Sequence, residues 1–485
     1  MAYPGGFSEF VRRLEAEGEL RRVSHPVDPV YEITEIIDRQ VKRGGAALLF
    51  ENPVGSRIPV AIGCFATMRR MAIALGVSDV EEIAKSIERL VQLPGNMPQT
   101  FLGKAALLPG LAKIGQDTAP KMFHGSAPCQ EVVKTGDDVD LSELPVLKCW
   151  PLDGGRFITL PLVFTKGADG KRNVGMYRVQ IYDKNTAGMH WQRHKVGSRH
   201  HAEYESQGKD IPVAVVLGGD PALTYAATAP LPDMIDEMVF AGFLRKRAVE
   251  LVPCITQPLE VPADAEIVLE GYVPANERRT EGPFGDHTGF YTLEDEYPVF
   301  RVTAITRRKN AVYPATIVGR PPIEDAGFGK TTERIFLPLV RLFVPELLDY
   351  NLPVEGVFHN LCIVKIRKRY PGHAQKVMNA IWGLGQMMFT KIIVVVDEWV
   401  DVQNLNEVLW VVANNIDPQR DTLFSMGPID VLDHASRQMG FGSKMGIDAT
   451  QKLPEEGFTR RWPPVIEMSP EVKQRVDLLW GELGL

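Results

Sequence analysis

Three segments of the 485-residue chain concentrate polar side chains within sequence that is otherwise typical of β-strands. The first runs from Asn173 to Arg178 and continues through residues 189–195, where His190 and His194 supply imidazoles. Arg178 could bind a carboxylate through two parallel hydrogen bonds. Asn173 and a histidine could ligate a metal. A surface hairpin with one polar face is an equally good interpretation of this segment alone.

The separation of Asn173 and Arg178 restricts how they could share a site. Five positions apart on a regular strand, they point to opposite faces of the sheet. Either Gly175 marks a bulge, or Asn173 lies just before the strand begins.

The second segment, residues 281–290, places Glu281 and Asp286 on either side of a Gly-Pro-x-Gly turn. Such a turn can bring the two carboxylates to one point. Paired acids in one cleft have their pKa values pushed apart, so one of them can keep a proton at neutral pH and deliver it. The alternative is an acidic surface turn, but Pro283 and Phe284 favour a packed loop.

The third segment, residues 232–242, begins a predicted helix with Glu237 in its first turn. A glutamate there is ordinary helix-dipole chemistry when taken alone. Together with Asn173 and His194 it would form an oxygen-rich site with one imidazole, which suits Mn²⁺ or Mg²⁺ better than zinc. His190, four residues away, could replace His194 as the ligand.

Two other motifs fail on inspection. Gly329-Lys330-Thr331 resembles the end of a P-loop, but Glu324 stands where the first glycine is required. The glycines at 383 and 385 follow a helix-forming stretch rather than a strand, which excludes a dinucleotide-binding fingerprint.

Bulk properties limit the partners and the compartment. The formal net charge of −7 argues against nucleic acid as a partner. The five cysteines are scattered without a CxxC pair, which disfavours disulfides and structural zinc and fits the cytoplasm. The longest apolar runs, such as residues 392–396, have the length of a strand, so we expect neither a transmembrane segment nor a signal peptide.

The elements that must position these residues fall into three regions. Helical periodicity at 7–14 and 31–41, followed by a strand at 46–50, predicts a small α/β region, with Ser8 as the cap of the first helix. Short strands rich in β-branched and aromatic residues predict a barrel-like β domain from about 140 to 305. Beyond about residue 320, an apolar strand at 391–398 flanked by helices predicts a parallel sheet covered on both faces.

Jointly, the motifs NxGxYR (173–178), EGPFGDHTGFY (281–291) and DEMVFAGFLR (236–245) resemble the UbiD decarboxylase family, which includes 3-polyprenyl-4-hydroxybenzoate decarboxylase. The similarity extends to residues 442–450. It implies an α/β (α+β) multidomain fold: an N-terminal α/β domain (1–115), a central split β-barrel that binds prenylated FMN (116–318), a hinge (319–330), a C-terminal α/β domain with a parallel sheet that mediates oligomerisation (331–468) and a C-terminal helix (469–485).

The resemblance also implies a set of site residues. Asn173, His194 and Glu237 match the ligands that hold Mn²⁺ (or Mg²⁺), with K⁺ as a further candidate ion, against the flavin phosphate. Arg178, Glu281 and Asp286 match the catalytic network. The positions that match cofactor contacts are Asn173, Met176, Tyr177, Arg178, His190, Trp191, Gln192, Lys195, Val196, Glu237 and Lys391.

The activity implied by the resemblance is the non-oxidative, reversible decarboxylation of an aromatic, hydroxybenzoate-like or α,β-unsaturated acid through a covalent adduct with prenylated FMN. Arg178 would orient the carboxylate or the flavin, Glu281 would hold Arg178 and relay protons, and Asp286 would protonate the carbon. A flavin prenyltransferase of the UbiX type would supply the cofactor, CO₂ would be the second product, and the chain would form a homo-oligomer, dimer or hexamer. His190 stands where the ubiquinone-pathway enzyme carries arginine, so that enzyme's substrate is not implied.

Two other classes compete with this reading. An ordinary FMN-dependent oxidoreductase would also use a split barrel, but it would consume NAD(P)H and gives no reason for the Arg178, Glu281 and Asp286 set. A subunit of an anaerobic aromatic carboxylase complex could keep the fold without the chemistry. The intact set of three charged residues argues against that class.

Overall fold

The computed structural model describes residues 3, 5–92, 115–192, 195–232 and 235–484. His194, one of the predicted metal ligands, lies outside these residues. The described part is a mixed α/β protein with a curled antiparallel half-barrel and additional sheets that contain parallel strands, which confirms the predicted fold class. Within these ranges, no helix has the length and apolarity needed to cross a membrane.

The helices lie mainly at the two ends of the chain. The described helices are Phe7–Ala16 (α1), Glu32–Lys42 (α2), Met68–Leu75 (α3), Glu81–Gln92 (α4), Val196–Glu205 (α5), Pro221–Ala226 (α6), Glu237–Arg245 (α7), Asp325–Phe343 (α8), His373–Trp382 (α9), Leu405–Asn415 (α10) and Pro470–Trp480 (α11). The predicted helix at 31–41 is confirmed within one residue. Ser8 was wrong as a cap: α1 begins at Phe7, and the Ser8 hydroxyl instead donates to Glu266.

The strands concentrate in the middle of the chain. They are Leu20–Val23 (β1), Ala47–Phe50 (β2), Val60–Ile62 (β3), Lys121–Met122 (β4), Val132–Thr135 (β5), Arg156–Ile158 (β6), Leu162–Lys166 (β7), Arg172–Met176 (β8), Val179–Ile181 (β9), Thr186–Met189 (β10), Ile211–Leu217 (β11), Glu250–Pro253 (β12), Glu260–Pro262 (β13), Ile267–Val273 (β14), Arg278–Glu281 (β15), Phe284–Gly285 (β16), Tyr291–Thr292 (β17), Asp295–Arg307 (β18), Tyr313–Ala315 (β19), Leu347–Asn351 (β20), Leu361–Ile366 (β21), Ile392–Asp397 (β22), Thr422–Pro428 (β23) and Phe441–Asp448 (β24).

The central sheet runs in the order β6-β9-β10-β18-β14-β11-β7-β8, and β5 and β15 pair with the long strand β18. Its pairs are antiparallel. Alternate residues of β11 pack into two different hydrophobic cores: Ala214 and Val216 into one, Val213 and Val215 into the other. Since side chains alternate between the faces of a strand, the sheet is buried on both sides.

The flanking regions carry smaller sheets. β1 and β2 are parallel, β2 and β3 are antiparallel, and β19 returns from the central region to add a parallel strand beside β3. At the other end, the order is β20-β21-β22-β24-β23, with β21, β22 and β24 parallel. Ile393 and Val395 of β22 face one core, whereas Val394 and Val396 face another, which confirms the predicted strand covered on both faces.

Helix α8 joins the two ends of the molecule. Ile335 and Phe336 pack into the core shared with the N-terminal region, whereas Leu337 and Val340 pack into the core of the C-terminal sheet. Because α8 starts at Asp325, the second half of the predicted hinge, residues 325–330, is helical. A hinge between the central and C-terminal regions stays a prediction, now confined by this helix to residues 319–324.

Candidate active site

Arg178 lies in the connection between β8 and β9. It therefore need not point to the face of the sheet opposite Asn173. Asn173 is the second residue of β8, and β8 pairs with β7 in an unbroken register through Gly175. Neither of the two expected solutions is correct, because Gly175 forms no bulge and Asn173 lies inside the strand. The strand ends at Met176, so the alternation of side chains along β8 does not determine the direction of Arg178.

Arg178 forms ion pairs with both predicted catalytic acids. Its Nε donates to Glu281 Oε1 at 2.7 Å and its Nη2 to Glu281 Oε2 at 3.1 Å, while its Nη1 donates to Asp286 Oδ2 at 2.7 Å. The Glu281 side chain is fully buried, and those of Arg178 and Asp286 are 8% and 10% exposed. The guanidinium carbon lies 4.5 Å from the centre of the Phe284 ring, an additional cation–π contact.

A hairpin holds the two acids in place. Glu281 ends β15, Asp286 follows β16, and β16 pairs with β17. Asp153 anchors the turn between the acids, because its Oδ1 accepts the backbone N–H of Gly285 at 2.8 Å. Gly285 is required there, since a Cβ would lie 2.2 Å from the ring of Trp150.

Both acids are ionised in this arrangement. Burial raises the pKa of Glu281, but hydrogen bonds from His190 and Arg178 outweigh it and lower the pKa to about 2. Burial also raises the pKa of Asp286, yet His287, Arg178 and Thr292 together hold it far below its usual value. The expectation that one of the pair keeps a proton at neutral pH is therefore wrong for the ligand-free site, because a cation lies between the acids.

His190 extends the network from the end of β10. Its Nδ1 lies 3.1 Å from Glu281 Oε2, and its ring packs against Tyr297 with centroids 4.3 Å apart. Burial lowers the pKa of His190, so the neutral ring donates its Nδ1 proton to the carboxylate. Gln192 Nε2 lies 3.4 Å from His190 Nε2. Trp191 is buried, and among the described residues its Nε1–H has no acceptor.

The described part of the predicted metal set lies next to this network. Asn173 is buried, and its Nδ2 has no hydrogen-bond partner within the described part of the chain. Glu237, at the start of α7, accepts a 3.2 Å hydrogen bond from the backbone of Val174. Burial raises the pKa of Glu237 to about 7. A divalent cation would compensate this poorly solvated carboxylate, so Glu237 fits the implied metal. Asn173 would have to ligate through its Oδ1, because Nδ2 is a donor.

His194 cannot be placed beside them, since it lies outside the described residues. Among the residues that are described, no cluster of three or more His, Cys, Asp or Glu side chains could hold a metal. That finding does not bear on the predicted set, which consists of one asparagine, one histidine outside the described part and one glutamate.

The other predicted cofactor contacts lie at the edges of the network. Met176 ends β8, and the hydroxyl of the buried Tyr177 accepts the backbone N–H of Gly197 at 3.4 Å. Lys195 and Val196 form the start of α5. Lys391 does not contact the Arg178 network directly: its Nζ lies 2.7 Å from Asp433 in the C-terminal region.

Several residues of the site were not singled out by the sequence. Thr292 donates to Asp286 Oδ2 at 2.7 Å, and His287 bonds to Asp286 Oδ1 through both its backbone N–H and its Nδ1. His287 stood inside the EGPFGDHTGFY motif, where its position beside an acid was a usable signal. His359, which contacts His287, carries no local signal, because it comes from a turn of the C-terminal region 72 residues away.

Family models for 3-octaprenyl-4-hydroxybenzoate carboxy-lyase match three successive parts of the chain. The N-terminal domain matches residues 11–90, the Rift-related domain residues 121–321 and the C-terminal domain residues 326–449. An uncharacterized protein of Aquifex aeolicus is 53% identical over 98% of both chains.

Solved structures agree with the family models. The UbiD-class enzyme HmfF from Pelotomaculum thermopropionicum in complex with FMN is 29% identical, covers 95% of this chain and 97% of its own, and has a TM-score of 0.78. An evolved dimeric form of HmfF was solved with prFMN (28% identity, the same coverage, TM-score 0.76). Vanillic acid decarboxylase from Sedimentibacter hydroxybenzoicus is 25% identical over 99% of both chains in its closed form, with a TM-score of 0.83, and was also solved in an open form. With three domain models in order and neighbours that match along nearly the whole length, the chain belongs to the UbiD family of carboxy-lyases.

Proposed function

We propose that this protein removes CO₂, reversibly and without oxidation, from an aromatic, hydroxybenzoate-like or α,β-unsaturated acid with the help of prenylated FMN. The observation that carries the proposal is the buried Arg178 held between Glu281 and Asp286. Such a set can bind a carboxylate and move a proton, and an ordinary flavin oxidoreductase has no need of it. The FMN- and prFMN-bound structures of HmfF and the vanillic acid decarboxylase support the cofactor and the substrate class.

Arg178 has donors to spare for a ligand. A guanidinium carries five N–H groups, and three of them are used by the two acids. One N–H on each of Nη1 and Nη2 remains for a substrate carboxylate or for the flavin. Because Glu281 binds Nε and Nη2 side by side, the plane of the guanidinium is fixed before the ligand arrives.

Asn173, His194 and Glu237 would hold Mn²⁺ or Mg²⁺ against the flavin phosphate, with K⁺ as a further candidate ion. Arg172, whose Nε lies 3.9 Å from Asp236, supports a nearby phosphate, since its buried Nε and Nη1 lack hydrogen-bond partners among the described residues. The N–H groups at the start of α5, next to Lys195 and Val196, add donors of the kind that bind phosphate. Met176, Tyr177, His190, Trp191 and Gln192 would line the rest of the cofactor site.

When bound, the prenylated flavin supplies the electron sink that a carbanion on an sp² carbon lacks. The chain's own residues do the remaining work. Arg178 orients the acid, Glu281 keeps Arg178 in place, and Asp286 gives the carbon its proton. The neutral His190 supports Glu281 without adding charge to the site.

Closure of the C-terminal region over the site is part of the proposal. The loop that follows Asp286 already touches that region, because the rings of Phe290 and His434 lie 4.2 Å apart. Asp433, the partner of Lys391, is the neighbour of His434, so closure would also bring Lys391 toward the cofactor. The open and closed forms of the vanillic acid decarboxylase support such a motion. It would exclude water from the reacting carbon.

The decisive experiment is co-expression with a flavin prenyltransferase of the UbiX type, followed by mass spectrometry of the bound cofactor. The purified protein is then offered a panel of 4-hydroxybenzoate, 3,4-dihydroxybenzoate, vanillate and cinnamate. We expect CO₂ release from at least one acid and incorporation of ¹³C-bicarbonate in reverse. Protein loaded with ordinary FMN and Arg178→Lys protein serve as inactive controls.

The competing classes give different results in the same experiment. Consumption of NAD(P)H by the FMN-loaded protein would favour an oxidoreductase. Activity that appears only after other subunits are added would favour the carboxylase complex.

A further inference from the structure

The proton that Asp286 is proposed to deliver must come from a partner. Arg178, His287 and Thr292 hold the pKa of Asp286 far below its usual value despite its burial, so the ligand-free carboxyl is ionised. A bound substrate carboxylate adds a negative charge beside Arg178, which raises the affinity of Asp286 for a proton. The remaining requirement is a nearby group that can release one.

Four hydrogen bonds surround the Asp286 carboxylate, two on each oxygen. Oδ2 accepts from Arg178 Nη1 and Thr292 Oγ1, both at 2.7 Å. Oδ1 accepts from the backbone N–H of His287 at 2.8 Å and lies 2.9 Å from His287 Nδ1. Of these four donors, the imidazole alone exchanges a proton near neutral pH. His287 is therefore the one direct partner among them that can protonate Asp286.

A second histidine holds the far side of the His287 ring. His287 Nε2 and His359 Nε2 lie 3.1 Å apart, so one of the two nitrogens must carry the shared hydrogen. Burial lowers the pKa of His287, but the hydrogen bond and charge of Asp286 outweigh it and leave the pKa raised. Burial and the neighbouring His287 lower the pKa of His359 to about 4. The charged His287 thus donates to a neutral His359.

The other charges that face the pair favour a cation on it. Asp325, at the start of α8, and Asp430, after β23, both raise the pKa of His287. Asp430 and Asp286 act on His359 in the same direction. Through Asp325, His287 is linked to α8, and through Asp430 and His359 it is linked to the C-terminal region.

The two residues directly before His359 have strained backbone conformations that orient the His359 ring toward His287. Val357 and Phe358 both have left-handed backbone conformations, with φ of 46° and 64°. Such values are rare for bulky and β-branched residues and occur mostly where function or packing requires them. Phe358 packs on Gly329 of α8, where a Cβ would lie 2.2 Å from the ring. The turn is therefore fixed against α8 with His359 directed at His287.

We propose that His287 restores the proton of Asp286 in each turnover, and that His359 is a positioning residue that holds the His287 ring with Nδ1 against Asp286. This inference rests on the proposed decarboxylation. In the first step the His287 Nδ1–H bond breaks and an O–H bond forms on Asp286 Oδ1, which leaves a neutral imidazole and a neutral acid. After CO₂ departs, that O–H bond breaks as the new C–H bond forms. Water then returns one proton to His287, whose side chain is 27% exposed.

Two substitutions at His359 separate positioning from packing. Phenylalanine keeps the ring volume but accepts no hydrogen bond, whereas glutamine can still accept one through Oε1. We expect His359→Phe to slow solvent-deuterium exchange into the decarboxylated product roughly tenfold or more. His359→Gln should recover most of that loss. The opposite order, with glutamine worse than phenylalanine, would reduce His359 to a packing residue and overturn its proposed role.

Substitution of His287 tests the proton source. We expect His287→Gln to lower the exchange rate at pH 7 roughly tenfold or more. In the wild type the rate of decarboxylation should fall as pH rises through the pKa of His287, because the charged form is the donor in that direction, and this fall should be absent in the variant. A wild-type rate and an unchanged pH profile in His287→Gln would overturn the inference. Equal flavin content and equal melting temperature establish that each variant is folded and loaded.

A measurement without cofactor keeps this inference distinguishable from the proposed function. NMR of ¹³C-labelled histidines in the cofactor-free protein should show the pKa of His287 falling in Asp286→Asn and in His359→Phe, since each change removes a partner of the imidazolium. An unchanged pKa in both would show that the pair is not coupled to Asp286. If the loaded wild type releases CO₂ from none of the panel acids, the proposed function fails, and the inference fails with it. If the wild type is active and the histidine variants match it, the inference alone fails.

Discussion

At the scale of single residues, the site is organised around one arginine placed between two acids. The bidentate contact with Glu281 fixes the Arg178 plane, while a single N–H joins Arg178 to Asp286. The two carboxylates therefore have different work. Glu281 is fully buried and holds the guanidinium of Arg178 in place, whereas Asp286 also contacts a titratable histidine.

The amide variants of the two acids should fail in different ways. Asp286→Asn should still bind cofactor and acid but lose turnover by about 10²–10⁴-fold, the usual contribution of a positioned acid. Glu281→Gln should be at least as damaging, since it also weakens the hold on Arg178. Solvent-deuterium exchange into the product reports on protonation without CO₂, and the exposed Asp295→Asn serves as a matched control. Exchange at the wild-type rate in Asp286→Asn would pass the proton-donor role to Glu281 or a bound water.

Glu237 should decide whether metal and flavin stay bound. Its carboxylate is poorly solvated, with a pKa raised to about 7 by burial, so it gains most from a divalent cation. We expect Glu237→Ala to lose both manganese, measured by elemental analysis, and flavin, measured by absorbance. Glu250→Gln, a change at a half-exposed glutamate in an ion pair with Arg247, should lose neither. Full flavin occupancy without metal in Glu237→Ala would contradict the assigned ligand.

At the scale of elements, the sequence predicted the helices and strands whose positions depend on local hydrophobic periodicity. The apolar strand β22 and helix α2 follow from local apolar patterns, because β22 is buried in the two C-terminal cores and α2 buries Ile33 and Ile37 in a third core. The end of β8 at Met176 does not, because it depends on how the chain turns into β9. The same limit applies to His359. Its position follows from the left-handed backbone conformations of the two preceding residues, which no local sequence pattern predicts.

The segment at 319–330 shows how composition alone can mislead. Its glycines suggested flexibility, yet Gly327 and Gly329 lie inside α8 and serve close packing. A Cβ on Gly327 would lie 1.7 Å from the carbonyl oxygen of Phe65, and one on Gly329 would meet Phe358. Both contacts are long-range in sequence, so they were invisible before the fold was known.

Glu324, directly before α8, should make stability depend on pH. It is fully buried and accepts backbone N–H groups of Gly63 and Phe65, and burial raises its pKa to about 7. A carboxyl whose folded pKa exceeds its unfolded value of roughly 4.3 binds more protons when folded. Stability should therefore fall as pH rises from about 4.5 to 7 and then level off, by roughly 2–4 kcal/mol from this group.

Urea unfolding at pH 5 and pH 7.5 measures this contribution. Glu324→Gln cannot ionise, so it should lose that part of the pH dependence while remaining folded. The difference between the two proteins, taken at each pH, cancels the titration of all other groups. An identical pH dependence in wild type and Glu324→Gln would show that the carboxyl is not protonated in the folded state.

At the scale of the whole molecule, the C-terminal sheet presents an apolar edge. Phe424 and Met426 project from the same face of the edge strand β23 and are 68% and 61% exposed, and Phe441 on the neighbouring strand adds to them. An apolar patch of this kind usually marks an interaction surface. We expect the chain to form a homo-oligomer through it, in agreement with the role that the family resemblance gives this domain.

Light scattering coupled to gel filtration tests that expectation. The double variant Phe424→Glu, Met426→Glu should shift the protein to a smaller species, because charges oppose burial of the patch. Val133→Glu changes an exposed apolar residue on the central sheet and should leave the mass unchanged. A wild-type mass in the double variant would place the contact elsewhere.

The same C-terminal region should move relative to the central sheet when ligands bind. The loop after Asp286 contacts it through two pairs, His287 with His359 and Phe290 with His434. These contacts are polar or partly exposed, whereas α8 anchors the C-terminal core to the N-terminal one through buried apolar residues. The hinge at residues 319–324 stays a prediction that this anchoring opposes, because Ile335 and Phe336 of α8 share a buried core with Ala214 and Val216 of the central sheet.

Small-angle X-ray scattering with and without cofactor and a non-reactive aromatic acid measures this motion. We expect the radius of gyration to decrease when both are present, because closure would bring the C-terminal region nearer to the central sheet around the reacting carbon. Glu237→Ala protein, which should not hold the cofactor, provides a matched control that stays open under the same additions. Scattering curves of the loaded wild type that superpose with and without the acid would show one rigid body, and water exclusion would then have to come from the pocket walls alone.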